Sequence, residues 1–135
     1  MDCNSPFTQE VTIPGSTIIS PNHPNNYDNN QNCQIKIAFA EGQRVLLEFI
    51  LFDVEHSSAC YYDWLEIRDG PSAGSNMLVS NLCGSTIPNP ILSTGNSLTL
   101  ILQTDSSVTG SGFMINAKLG KICVQDKNKN VTLNL

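Results

Sequence analysis

The chain has 135 residues, a formal net charge of -5 and only 14% charged residues. Its length fits one domain that buries its own hydrophobic core. The acidic balance argues against nucleic-acid binding, because contacts with phosphate require clustered Lys and Arg. The longest apolar run, residues 45–52, is interrupted by Glu48 and is too short to span a membrane.

Short segments that alternate apolar and polar residues follow one another along the chain, and turn residues separate them. No segment has a convincing helical period. The pattern therefore predicts an all-β protein, an antiparallel two-sheet β-sandwich. The predicted strands cover residues 9–13, 17–20, 34–39, 44–53, 64–68, 77–82, 97–104 and 113–119.

Three further stretches carry expectations of their own. Residues 44–53 have apolar side chains on both faces, which is typical of a central strand covered on both sides. Residues 85–94 contain prolines and are predicted to form a loop. The Lys- and Asn-rich residues 120–135 are expected to be a linker, a tail or the start of a following module.

Cysteine usage indicates the cellular compartment. The cysteines at positions 3, 33, 60, 83 and 123 form no C-x-x-C pair and have no histidine at zinc-ligand spacing. Their wide spacing in a turn-rich chain favours disulfides, which predict a secreted or cell-surface protein. No signal peptide is visible, so the chain is either cytosolic or lacks its leader, and the cysteines favour the second. The sequon at Asn130 predicts glycosylation and agrees with secretion.

Acidic residues stand out in two polar loops. Glu55 and Asp63 flank one loop, and Asp105 opens the other. If the loops meet, three carboxylates converge, and hard oxygen ligands in that number suit calcium. The alternative is that these are ordinary acidic turn residues. Spacing alone favours that alternative, because ligand sets drawn from separate loops are hard to recognise in a sequence.

Two further functions that the sequence raises are catalysis and sugar binding. His23 lies in a Pro/Asn-rich turn, and no serine lies in a G-x-S-x-G setting. His56 beside Glu55 could ligate a transition metal, but two scattered histidines are more often surface or turn residues. We therefore predict no enzymatic activity. Tyr61, Tyr62 and Trp64 could stack on sugar rings, although Trp64, on a predicted strand, is expected to pack against the sandwich.

Several motifs, taken together and in order, resemble those of CUB domains. The resemblance covers roughly residues 3–119, which would then be the domain. The motifs are SPNHPxxY at 20–27, FxxFDVE at 49–55, CxYDxLEI at 60–67, DG at 69–70, LCG at 82–84, STGN at 93–96 and GF at 112–113.

This resemblance implies a fold and a disulfide pattern. The family fold is a compact sandwich of two antiparallel sheets, a jelly roll. The implied disulfides are Cys3–Cys33 and Cys60–Cys83, and Cys123 remains outside the domain.

The resemblance also reverses the interpretation of the acidic loops, because many CUB domains hold one calcium ion there. A Lys or Arg of a protein partner then bonds to the ion-bound carboxylates. The implied calcium ligands are the side chains of Glu55, Asp63 and Asp105 and the main-chain carbonyls of Ser107 and Val108. We predict Tyr62, His56 and Ser106, the last being one of the loop serines, as further contacts to the partner.

Other members of the family suggest two alternatives. The spermadhesins bind glycans, and further CUB domains are attached to secreted proteases. The chain could therefore be a glycan-binding module, or a structural or exosite module of a protease.

Overall fold

The computed structural model describes residues 8–124 and 131–134, and these form strands with one short 3-10 turn at Ser58–Cys60. The strands are β1 Thr8–Val11, β2 Ser16–Ile19, β3 Asn32–Ala38, β4 Arg44–Asp53, β5 Trp64–Asp69, β6 Asn76–Leu82, β7 Ile91–Leu92, β8 Ser97–Gln103, β9 Gly112–Val124 and β10 Val131–Asn134. The described residues contain no helix long and apolar enough to cross a membrane.

The strands form two sheets. The first has the order β1-β3-β8-β5-β6, and the second has the order β10-β9-β4-β7, with β2 also pairing with β9. Strand β1 runs parallel to β3, whereas the other pairs are antiparallel. The predicted all-β sandwich is confirmed, and the parallel β1–β3 pair is the feature that alternation could not reveal.

The core lies between the two sheets, because alternate side chains of each strand point inward. Strand β3 contributes Cys33, Ile35 and Ile37, in the period of two that its sequence shows. The other strand residues of this cluster are Val11, Ile18, Val45, Leu47, Phe49, Phe52, Leu65, Ile67, Leu98, Leu100, Leu102, Phe113, Ile115 and Ala117.

Strand β4 is less covered than its sequence suggests. It lies between β9 and β7, and Leu46 on its outer face is buried. A bulge between Phe49 and Leu51 shifts the pairing with β9, and Ile50 and Leu51 remain 45% and 48% exposed. The expectation that β4 is covered on both faces is thus wrong for its second half. Strand β8, in the middle of the first sheet, has buried side chains on both faces.

The proline-containing stretch after β6 is not entirely a loop. Strand β7 pairs with Leu46 and Leu47, and Val54 forms an isolated bridge with Gly84. The two pairings are seven residues apart on both segments, from Leu47 to Val54 and from Gly84 to Ile91, so the segment before β7 runs beside β4 over the same length. Pro88 and Pro90 have no N–H to donate, which explains why the ladder between the pairings is interrupted.

The last strands run past the expected end of the domain. Strand β9 continues to Val124, and its last four residues pair with β10. The boundary at residue 119 stays a prediction. Cys3, Asn130 and the side chain of Cys123 lie outside what the structure describes, so the predictions made for them stay predictions as well.

Candidate metal centre

Three strand ends bring the acidic residues to one end of the sandwich. Glu55 follows β4 and the Val54–Gly84 bridge, whereas Asp63 directly precedes β5. Asp105 lies two residues after the end of β8. Because Trp64 at the start of β5 pairs with Gln103 at the end of β8, Asp63 and Asp105 are placed side by side. Glu55 reaches them from the second sheet.

The carboxylates of Glu55, Asp63 and Asp105 form a compact cluster. One oxygen from each lies within 4.8 Å of the other two. Asp63 is fully buried, and the other two residues are partly buried. Glu55 Oε1 is itself buried and has no hydrogen-bond partner. This orphaned oxygen and its two acidic neighbours fit a cation, because calcium takes six to eight oxygen ligands, including carboxylates and main-chain carbonyls.

Asp63 is held by hydrogen bonds to both of its oxygens. The Asp105 N–H donates to Asp63 Oδ1 at 2.9 Å, and the Tyr27 hydroxyl donates to Asp63 Oδ2 at 2.7 Å. The Tyr27 oxygen in turn accepts the Glu55 N–H at 3.0 Å. Asp63 therefore links both acidic loops. The Tyr27 hydroxyl connects the main chain of Glu55 to the side chain of Asp63.

Tyr27 is the site residue that sequence reasoning missed. It is 1% exposed and joins the core, and its N–H donates to the Gly110 carbonyl of the loop after β8. Its only signal in the sequence was its position at the end of the Pro- and Asn-rich 20–27 motif. A lone tyrosine there is as well explained by core packing, so its contact with Asp63 emerges only from the tertiary structure.

Electrostatics in the cluster favour a bound cation. Burial raises the pKa of Glu55, and repulsion from Asp63 and then Asp105 raises it further. Burial also raises the pKa of Asp63, against the opposing effect of the hydrogen bonds from Asp105 and Tyr27. Burial likewise raises the pKa of Tyr27, which keeps its hydroxyl protonated as the donor to Asp63. A cation in the cluster would replace this repulsion by attraction.

The other predicted site residues surround the cluster on the surface. Ser107 and Val108 are exposed in the loop after Asp105, where Val108 has a positive φ of 60°. The Ser107 N–H donates to Asp105 Oδ1 at 3.3 Å. His56, Tyr62 and Ser106 are also exposed. Their exposure is compatible with the predicted roles, which stay predictions, as do the carbonyl ligands.

A disulfide fixes the loop between Glu55 and Asp63 to the residue that follows β6. Cys60 and Cys83 are joined, with their Cα atoms 5.5 Å apart, as the resemblance implied. Ser57 Oγ accepts the N–H of Tyr61 at 2.9 Å and that of Tyr62 at 3.4 Å. Cys33 is buried, but its implied partner Cys3 lies outside the described residues.

A sandwich of two mainly antiparallel sheets, with an acidic cluster framed by loops at one end, defines this chain as a β-sandwich binding module. The sequence profile of the CUB domain matches residues 3–117. The chain belongs to the CUB family, whose domains are non-catalytic interaction modules of extracellular proteins.

Similar proteins come from several organisms and settings. Human tumor necrosis factor-inducible gene 6 protein is 38% identical over 117 residues, which are 84% of this chain and 42% of that protein. The MASP-1 CUB2 domain bound to Ca2+ is 31% identical, with a TM-score of 0.71, covering 82% of this chain and 96% of that one. The full extracellular region of zebrafish Gpr126/Adgrg6 is 28% identical, with a TM-score of 0.73, covering 88% and 15%.

The chain is short beside its relatives. It spans between 3% and 42% of the length of seven of the curated relatives that it matches. Those proteins contain much sequence that this chain does not match, so their activities are not assigned to it.

Proposed function

We propose that this domain is an extracellular protein-binding module that works through one calcium ion. The ion is held by Glu55, Asp63 and Asp105, with the carbonyls of Ser107 and Val108 completing its shell. The observation that carries the proposal is the cluster of three carboxylates within 4.8 Å, which includes a buried Glu55 oxygen without a partner. The structural similarity to a Ca2+-bound CUB domain supports it.

The role of the ion is to order the two acidic loops. Without a cation, the carboxylate of Glu55 and the fully buried carboxylate of Asp63 repel each other. Calcium offsets that repulsion and fixes the carboxylate geometry. The outer oxygens of the bound carboxylates then accept charge-assisted hydrogen bonds from a Lys or Arg of the partner. Tyr62, His56 and Ser106, exposed around the cluster, contribute further contacts.

The test is a calorimetric titration of chelator-treated protein with calcium. Extracellular modules bind calcium with Kd values of roughly 10⁻⁴–10⁻³ M, so the titration must extend into the millimolar range. We expect one saturable site in the wild type and none in Asp105→Asn, which removes a charge while keeping the side-chain shape. Glu41→Gln is the matched control, because Glu41 is an exposed acidic residue in the turn between β3 and β4.

Binding of the partner is tested with a synthetic peptide that carries a single lysine. We expect it to bind in calcium and not in chelator, and to bind Asp105→Asn far more weakly than Glu41→Gln. Equal calcium binding by Asp105→Asn and the wild type would contradict the proposed metal site. Calcium binding with no lysine-dependent step would remove the partner mechanism alone.

A second candidate function is glycan binding, which the exposure of Tyr61 and Tyr62 favours. These side chains are 78% and 54% exposed on the loop beside the cluster. Rings displayed in this way can stack on sugars. Glycan binding predicts inhibition by free sugars and little effect of chelator, whereas the calcium mechanism predicts sensitivity to both chelator and salt.

A further inference from the structure

A small cleft opens on the outer face of the first sheet, at the same end as the acidic cluster. Its volume is about 200 Å³, and we call it the Tyr61–Trp64 cleft. The residues that line it are Ala59, Cys60, Tyr61, Trp64 and Asn81. Its walls are thus mainly two aromatic side chains, with Ala59, Cys60 and one amide.

Hydrogen bonds hold the walls of this cleft in place. The Trp64 indole N–H donates to Glu66 Oε1 at 3.0 Å, and Arg68 Nε donates to Glu66 Oε2 at 2.8 Å. Alternation along β5 puts these three side chains on its outer face, so Trp64 lies partly buried on the surface, outside the core cluster. On the other wall, Ser57 Oγ fixes the main chain of Tyr61. A cleft held in this way loses little conformational entropy when it is filled.

The backbone of the loop is strained where it forms the cleft. Ala59 and Cys60 both have left-handed conformations, with φ values of 56° and 51°. Consecutive non-glycine residues of this kind cost free energy, and such strain clusters at binding and switch sites. The loop lies between Glu55 and Asp63, so two of the proposed calcium ligands fix its ends.

The size of the cleft limits what can fill it. Pockets for small-molecule ligands usually have volumes of about 300–1,000 Å³, so a cleft of about 200 Å³ accommodates a single side chain. A sugar needs several hydrogen-bond partners, but the Trp64 N–H already donates its hydrogen bond to Glu66. Only Asn81 and the Tyr61 hydroxyl remain as polar side-chain groups of the lining. An apolar side chain is the better match.

We propose that the Tyr61–Trp64 cleft receives an apolar side chain of the same protein partner whose Lys or Arg binds the carboxylate cluster. This inference rests on the proposed function. It specifies the partner further: a cationic residue with a Leu, Met or aromatic residue near it in space. The carboxylates select for positive charge, and the cleft distinguishes among cationic partners.

The experiment uses Trp64, the single tryptophan of the chain, as its reporter. The probes are synthetic peptides with one lysine and one leucine separated by zero to three residues, each paired with a peptide in which alanine replaces leucine. They are titrated in millimolar calcium while the emission of Trp64 is recorded. We expect at least one leucine peptide to bind about tenfold more tightly than its alanine partner and to shift the emission to shorter wavelength.

Two variants locate the effect. Tyr61→Ser opens one wall of the cleft at a highly exposed position, so folding, calcium binding and binding of the alanine peptides should persist while the leucine advantage disappears. Ile13→Ser is the matched control, because Ile13 is 70% exposed and is not part of the lining. This control should still bind the leucine peptide more tightly than the matching alanine peptide.

The outcomes separate this inference from the proposed function. If the alanine peptides bind in calcium and no leucine peptide gains, the cleft inference is overturned and the proposed function stands. If no lysine peptide binds in calcium, the partner mechanism of the proposed function fails and the inference fails with it. If free monosaccharides change the emission of Trp64 while leucine brings no gain, the cleft is a sugar site and the inference is wrong.

Discussion

Tyr27 shows how one hydroxyl group can organise an acidic cluster. It donates to the buried Asp63 and accepts from the main chain of Glu55, while its ring lies in the core. A buried carboxylate that loses one of its donors retains the cost of desolvation without the compensating bond. The hydroxyl therefore links the stability of the domain to the geometry of the cluster.

Replacement of Tyr27 by Phe tests this link. We expect Tyr27→Phe to lower the free energy of unfolding by about 1–3 kcal/mol and to weaken calcium binding, because Asp63 Oδ2 loses its donor. Urea unfolding and calorimetry measure the two effects. Tyr62→Phe is the matched control, since Tyr62 is 54% exposed and should change stability by less than about 0.5 kcal/mol. Equal stability of both variants would contradict the role assigned to Tyr27.

Among the strands, β9 depends on a close approach at its first residue. Gly112 has a φ of 89°, and a Cβ there would collide with the side chain of Ser20. Ser20 Oγ accepts the Phe113 N–H at 3.0 Å, and the Ser20 N–H donates to the Phe113 carbonyl at 3.0 Å. Gly112 thus allows the end of β2 to pack against the start of β9.

Substitution of this glycine should disrupt the junction. We expect Gly112→Ala to lower the free energy of unfolding by roughly 1–3 kcal/mol, because it combines a left-handed backbone with a steric clash. Gly95→Ala is the control, since Gly95 has no positive φ and nothing lies within 4 Å of the Cβ position. Thermal unfolding followed by circular dichroism compares them. A Gly112→Ala domain as stable as Gly95→Ala would show that the contact is easily relieved.

For the whole molecule, the acidic cluster couples stability to pH. The pKa values of Glu55 and Asp63 are raised in the folded state above their ordinary values of 4.5 and 3.8. Between the ordinary and the raised pKa, the folded protein binds more protons than the unfolded one. Stability therefore falls as pH rises through that window and is lowest above it.

This direction of the change in stability with pH leads to a prediction for the ion-free domain. In chelator, we expect the urea midpoint of the wild type to fall as pH rises from about 4 towards neutrality, and the fall to be smaller in Glu55→Gln. Calcium should restore stability at neutral pH, because it binds the ionised carboxylates of the folded state. If the urea midpoint of the wild type in chelator depends on pH in the same way as that of Glu55→Gln, the pKa of Glu55 is not raised in the folded state.

The sequence predicted eight of the ten strands of the described residues, β7 and β10 being the exceptions. Alternation alone identified segments such as β3 and β8, because a half-buried strand imposes a period of two on its residues. The motifs, taken in order, identified the family. They also pointed to the three acidic residues and to the Cys60–Cys83 bond, which the structure contains.

Tertiary structure alone decided how those elements meet. Asp63 and Asp105 are neighbours because β5 and β8 pair in register, and register between distant strands depends on the packing of the whole core. The same holds for the Tyr27–Asp63 bond and for the exposed Ile50 and Leu51. A periodic pattern shows which side of a strand faces inward. It does not show which loops share an end of the sandwich, because that follows from long-range pairing.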